Sequence, residues 1–382
     1  MRMNNRVRIE KIEWGRLEGL RPRKAGCNAR LGEHGQSVRL PILRLTASDG
    51  ASGFGICRAQ PDQFPALLGA ALTDCFSPQS GVSDPWLRYE YPLWDLVGQR
   101  AGLPVYALAA AVLGQPAPAA VFAPCYDTSL YFDDLHLPTT GQAAQWMAEE
   151  ARAGWARGHR AFKLKIGRGA RHLPLAEGTQ RDIAVIHAVR EAVGPAAPIM
   201  VDANNGYNFN LATTVLQETA SCRLLWLEEP FYEDAVLYRA LKSWMEARDL
   251  PILIADGEGE ASPNLLRWAQ EGLVDVIQYD IISHGFTRWL RTGIQLDAWG
   301  VRSAPHHYGT HYGNYAACHL SGLIEHFAFV EWDEAATPGL DGSAYIVQDG
   351  LVSVPDSPGF GLKLDEEIFQ RAVAAAGGML QL

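Results

Sequence analysis

No stretch of this chain approaches the roughly 18 consecutive apolar residues that a membrane-spanning helix needs. The opening Met1-Arg-Met-Asn-Asn-Arg-Val-Arg also lacks the apolar run of a secretory leader. A cytoplasmic chain with no membrane partner is expected. Cysteine is scarce: the six thiols, Cys27, Cys57, Cys75, Cys125, Cys222 and Cys318, are scattered singly with no Cys-x-x-Cys pair. That favours reduced packing residues over a disulfide framework or a thiolate zinc site. Positive charge is short as well, with 33 Lys and Arg against 43 Asp and Glu and a net charge of −10. Nucleic acid, which needs a basic face, is therefore not an expected partner. An anionic small molecule remains admissible, because a bound metal and a few lysines reverse the field inside one cleft.

What is present is a long chain of ordinary globular composition: 382 residues, 48% hydrophobic and 20% charged. This length suits a barrel of about 250 residues plus a second domain. Residues 1–120 do not alternate strand with helix. Leu40 to Cys57 reads as a hairpin about Asp49-Gly50. Gly50, Gly53 and Gly55 are taken as turn and strand glycines, since no helix opens after them as a nucleotide fingerprint demands. Pro85 to Arg100 carries a helical face of Leu93, Leu96 and Val97 stopped by Gly102, with Trp94 and Asp95 as structural residues.

From 121 to 340 the rhythm changes to eight candidate strands, near Val121, Ala161, Ile199, Leu224, Ile252, Val276, Val301 and Ala328. Helical patterns lie between them: Ile183, Ile186, Val189 and Val193 share a stripe ended by Gly194, and Ser262-Pro263 reads as an N-cap and first turn. Alternation of this kind predicts a parallel β/α barrel, an α/β fold of the TIM type. Residues 341–382 leave that rhythm again.

Polar residues end nearly every one of these strands. Asp202, Glu228 and Glu258 follow three successive apolar runs at spacings of 26 and 30 residues, the length of one strand-helix unit, so they should converge on the C-terminal rim of the barrel. Three carboxylates in one mouth call for a hard divalent cation. Lys163 and Lys165 alternate with Phe162 and Leu164 and should share one face of their strand. The remaining strand ends supply Asp280, His306 and Glu331.

As a set, Pro92-Leu-Trp-Asp-Leu-Val-Gly, Phe162-Lys-Leu-Lys-Ile-Gly, Val201-Asp-Ala-Asn, Leu227-Glu-Glu-Pro, Ile254-Ala-Asp-Gly-Glu, Ala304-Pro-His and Pro358-Gly-Phe-Gly resemble the enolase superfamily, in its mandelate racemase-like subgroup. The resemblance implies a modified (β/α)7β barrel under an α+β capping domain formed by residues 1–120 and completed by the 341–382 tail. It implies one Mg²⁺ per subunit on Asp202, Glu228 and Glu258. It further implies a small carboxylate substrate from which Lys165 or His306 takes the α-proton. Lys163 and the metal should pull the pKa of Lys165 down toward about 7–8. Asp280 should orient the His306 imidazole, and Glu331 matches the position that hydrogen-bonds the substrate carboxylate or enediolate. Dehydration of a sugar acid is the expected reaction. Racemisation or epimerisation uses the same residues, and a non-catalytic metal-binding barrel is the remote alternative. A homo-oligomer is expected.

Some positions stay open. Asp256 competes with Glu258 for the third metal position, and Glu229 stands beside Glu228. Arg21, Arg23, Lys24, Asn28 and Arg30 read either as contacts to a long hydroxylated substrate, with one carboxylate or two, or as a solvated surface loop. His307 and His311 have zinc-like spacing, but they and His319 are read as lining or packing.

Overall fold

The computed structural model describes residues 6–382; residues 1–5, part of the stretch on which the absence of a leader was read, lie outside the described residues. Among the described residues no helix is long and apolar enough to cross a membrane.

An antiparallel sheet opens the chain. It consists of β1 (Ile9–Ala25), β2 (Gly35–Ala47) and β3 (Ser52–Ile56), with the predicted hairpin turn between β2 and β3. The 17-residue β1 corrects the reading of the basic run as a loop, because Arg21, Arg23 and Lys24 lie within it. Along β1 Leu17, Gly19 and Arg21 are buried while Glu18, Leu20 and Pro22 are exposed. The period of two is there, but an arginine at a buried position hides it from a hydrophobicity reading. Helix α1 (Glu90–Ala101) lies so close on β3 that a Cβ at Gly53 would fall 2.1 Å from the Leu96 nitrogen, and only glycine permits that approach.

Asp95 of α1 fastens this layer. Its carboxylate is buried and accepts 2.9 Å hydrogen bonds from the backbone N–H groups of Phe54 and Phe360, joining β3 to the C-terminal tail. Asp95→Ala leaves two buried donors without partners, so a loss of about 3 kcal/mol in unfolding free energy is expected, read from denaturant melts.

The barrel strands are β4 (Val121–Leu130), β5 (Phe162–Lys165), β6 (Ile199–Asp202), β7 (Trp226–Glu228), β8 (Leu253–Asp256), β9 (Val276–Ile277), β10 (Arg302–Ser303) and β11 (Val330–Trp332). Neighbours from β4 through β10 pair in parallel, and β11 pairs back onto β4. The bridge between Ser303 and Phe327 closes the ring. Helices fill the seven gaps: α2 (Thr140–Ala156), α3 (Leu175–Val193), α4 (Phe209–Glu218), α5 (Ala235–Glu246), α6 (Leu265–Gln270), α7 (Phe286–Asp297) and α8 (Tyr312–Ser321). This is the (β/α)7β arrangement. Ser262 does not cap α6 directly; its hydroxyl accepts from Asn264 N–H, and the helix starts at Leu265.

Residues 341–382 divide between the layers. The hairpin β12 (Ile346–Gln348) and β13 (Leu351–Val354) pairs antiparallel with the first half of β4. Helix α9 (Glu366–Ala376) and β14 (Gly378–Gln381) return to the N-terminal sheet, where β14 pairs with β1.

Two hydrophobic layers set the height of the site. The outward residues of the barrel strands, such as Phe162 and Leu164, join the large core under the helices. A separate cluster of Tyr126, Ala161, Met200, Trp226, Ala255, Val276 and Ala304 fills the barrel interior.

Candidate active site

Each interior residue is followed, two positions on, by the next inward side chain of its strand. Above Tyr126 stands Thr128, above Ala161 Lys163, above Met200 Asp202, above Trp226 Glu228, above Val276 Gln278, and above Ala304 His306. The apolar cluster is thus a floor, and the polar residues form the layer above it. Sheet register puts Lys165, Asp202 and Glu228 in one row across β5, β6 and β7.

Asp202, Glu228 and Glu258 each offer a carboxylate oxygen, all within 4.8 Å of one another. On β8 the alternation breaks. Ala255 points in, so Asp256 points out, where the Tyr238 hydroxyl of α5 and the Gly257 N–H occupy its two oxygens. Gly257, with φ +126°, then turns the chain so that Glu258 joins the site. Asp256 is thereby removed as a competitor for the third ligand position. Glu229 borders the triad without joining it: Asn204 and Asn205 donate to it at 3.0 and 2.9 Å, and the same Asn204 amide donates to Glu258 at 3.1 Å.

The other members surround this triad. Lys163 is buried, with Nζ 2.7 Å from Glu228, 3.1 Å from Glu331 and 3.6 Å from Asp202. Lys165 bonds to Asp202 and lies 5.3 Å from the Tyr131 ring centroid. His306 sits with Nδ1 3.2 Å from Asp280 and Nε2 3.2 Å from Glu258. Glu331 accepts from Thr128 (2.7 Å), His307 N–H (2.9 Å) and Tyr308 N–H (3.2 Å). Both of its oxygens already have protein donors, an arrangement that orients neighbours rather than reaching for a substrate.

Charge in this layer is strongly coupled. Burial, Asp202 and Glu258 push the Glu228 carboxyl up to about 8, against the pull of Lys163. Burial opposes charge on His306, but Glu258, Glu331 and Asp280 outweigh it and raise the ring to about 10. Lys165 is pulled in both directions. Burial and Lys163 pull its pKa down, yet Asp202 pulls further the other way, and the amine ends above the ordinary lysine value. Without another positive charge to engage Asp202, the lysine pair alone does not depress it.

Lys165, Glu258 and His306 line one cavity of about 530 Å³, together with Arg21, Asn28, His34, Tyr131 and Tyr308. The basic run therefore splits. Arg21 reaches the cavity but is held by Asp333 at 2.9 Å. Arg23 is consumed by Asp133 and Glu150, and Lys24 pairs with Glu33 on the surface. Asn28 accepts from the N–H groups of Arg30 and Leu31, and Arg30 lies over the Tyr232 ring. Among the described residues, the histidines join no metal-ligand group. His307 bonds to the Glu331 carbonyl, and His319 sits between Tyr106 N–H and the Tyr345 hydroxyl. All six cysteines are free thiols. Thr128 and Gln278, the latter donating to Glu228 at 2.8 Å, were not picked out from sequence. The period of two would have found them, but a search for charged strand ends passes over neutral side chains.

A (β/α)7β barrel under a sheet-and-helix cap, with three carboxylates at successive strand ends, is the architecture of the enolase superfamily. The family described as Enolase C-terminal domain-like matches residues 146–368, and the chain belongs to the mandelate racemase/muconate lactonizing family of that superfamily. Among solved structures, galacturonate dehydratase from Geobacillus sp., complexed with D-galacturonate and 5-keto-4-deoxy-D-galacturonate, is 46% identical, with TM-score 0.94 over 99% of this chain and 100% of that one. A mandelate racemase/muconate lactonizing protein from Geobacillus sp. Y412MC10, complexed with magnesium and tartrate, is 46% identical, with TM-score 0.96 over 100% and 98%. D-galactarolactone cycloisomerase of Agrobacterium fabrum is 28% identical over 363 residues, 85% of this chain and 89% of that protein.

Proposed function

We propose that this protein is a Mg²⁺-dependent acid-sugar dehydratase acting on a hexuronate of the D-galacturonate kind. It removes the proton from the carbon beside the carboxylate and expels the neighbouring hydroxyl as water. The enol left behind rearranges to the keto-deoxy acid. The observation that carries this reading is the cavity shared by Lys165, His306 and the triad member Glu258. Two proton-transferring groups and an anchoring point for a carboxylate lie around one space. The 46% identity to galacturonate dehydratase along the whole chain supports the substrate class.

The triad fits magnesium. Its donors are all carboxylate oxygens, and Glu258 Oε2 is buried, with the His306 Nε2 3.2 Å away as an ion-pair neighbour but no well-aligned hydrogen bond. When bound, the cation supplies positive charge that offsets the negative charge developing beside the substrate carboxylate. The rest falls to the side chains. Lys165 and His306 stand on the second and seventh barrel strands; one takes the α-proton, and the other, protonated, delivers a proton to the departing hydroxyl. Asp280 holds Nδ1 of His306, leaving Nε2 as the nitrogen that works in the cavity. Lys163 and Glu331 act as positioning residues that fix Glu228 and the loop carrying His306.

Purified protein given D-galacturonate and Mg²⁺ should release the 5-keto-4-deoxy acid, observed by NMR, and should stop on addition of EDTA. An epimerase would instead return a sugar acid of inverted configuration. Turnover undiminished in EDTA, or no keto-deoxy product from any acid sugar tried, would overturn the reading.

A further inference from the structure

Part of the cavity wall comes from the cap rather than the barrel, and His34 is one of the residues that form it. The residue lies in the loop between β1 and β2. Its ring meets Tyr131 edge-on with centroids 4.8 Å apart and Tyr308 edge-on at 5.7 Å. The two tyrosines stack on each other at 4.7 Å. Three aromatic rings thus hold one another in place.

The hydrogen bonds of His34 fix its tautomer. Its backbone N–H donates to the Gly26 carbonyl at 3.1 Å, and Nδ1 lies 2.9 Å from the same oxygen. A carbonyl only accepts, so Nδ1 carries the hydrogen and, in the neutral ring, the lone pair is on Nε2. Burial, against the pull of that carbonyl, holds the ring below the usual histidine value and so keeps it neutral. Nε2 has no protein partner among the described residues, and the ring lines the same space as Lys165, Glu258 and His306.

We infer that His34 is a specificity-determining residue whose Nε2 accepts a hydrogen bond from a hydroxyl at the end of the substrate remote from its carboxylate. The site therefore takes a monocarboxylate acid sugar and disfavours one with a carboxylate at both ends. This rests on the dehydratase reading above. A lone pair offers nothing to a second carboxylate, and the buried arginine of this wall is engaged. Arg21 is tied to Asp333, while Arg39 at the rim is exposed and 3.3 Å from Glu18. An acceptor built into a wall discriminates sharply, because a substrate without the matching donor leaves it unpaired.

The test compares wild type, His34→Phe, which keeps an aromatic ring against the tyrosines, and His34→Gln, which keeps a side-chain acceptor. Each is assayed on D-galacturonate, 2-deoxy-D-galacturonate and galactarate. His34→Phe should lower kcat/KM for D-galacturonate about 10-fold, the size of one neutral hydrogen bond, chiefly through KM. His34→Gln should recover most of that loss. The preference of wild type for D-galacturonate over galactarate, and over the 2-deoxy compound, should narrow in His34→Phe. In ¹⁵N-histidine NMR the His34 ring should carry its hydrogen on Nδ1, with the Nε2 signal moving on addition of D-galacturonate. Unchanged substrate ratios in His34→Phe, or a hydrogen found on Nε2, would overturn the inference. Wild type inert toward all three acids would count against the dehydratase reading instead, and the tautomer measurement would still decide the state of His34.

Discussion

Lys165→Ala is expected to lower turnover by about 10⁴-fold or more, because it removes one of the two groups proposed to exchange a proton with the weakly acidic carbon. In D₂O the variant should stop α-proton exchange from substrates of one configuration. His306→Asn should stop exchange from the opposite configuration, or block loss of the hydroxyl while exchange continues. These outcomes follow from where the two residues stand. Lys165 ends β5 in the row that continues to Asp202 and Glu228. His306 follows β10, with Asp280 behind its imidazole. They approach the cavity from different strands, so neither should replace the other. If both single variants kept near-native exchange on every active substrate, Lys165 and His306 would have to be reassigned as binding or packing residues.

Glu228→Gln should abolish Mg²⁺-dependent turnover while the fold persists. The amide keeps the shape of the side chain but removes the negative charge of the middle strand in the triad. Its new NH₂ replaces one oxygen only, and so meets either Lys163, which donates to one carboxylate oxygen, or Trp226 and Gln278, which donate to the other. Calorimetric titration with Mg²⁺ should show the loss of affinity directly, and an unchanged circular dichroism melt would separate it from unfolding. The same titration tests the third ligand: Glu258→Gln should weaken Mg²⁺ binding, and Asp256→Asn should leave it nearly intact, since Asp256 is spent on Tyr238 and Gly257. Loss of metal from Asp256→Asn alone would overturn the assignment.

The barrel and the layer of polar residues above its floor were legible in the sequence because both are periodic. A parallel barrel puts every strand's C-terminal end on one rim, and a side-chain period of two decides which residues face inward. Short apolar runs ending in Lys165, Asp202, Glu228 and His306 therefore announced the site before any contact was known. The hairpin about Asp49-Gly50 and the stop of α1 at Gly102 were equally local, each written in turn or capping chemistry.

Tertiary structure decided what local pattern could not. The strand β1 escaped notice because Arg21, a buried residue of that strand, has its partner at Asp333, 312 residues away. The choice between Asp256 and Glu258 depended on Tyr238 and on the bend at Gly257, neither of which belongs to the acidic pattern itself. That Asp202 bonds to Lys165 was likewise beyond the pattern, which says only that the two share a rim. His34 acquired a defined tautomer only when the loop folded back onto Gly26 against two stacked tyrosines from different barrel loops. Periodicity fixes which face a side chain takes. The partner waiting on that face is set by chain closure over hundreds of residues, and that partner determines the group's charge, orientation and chemistry.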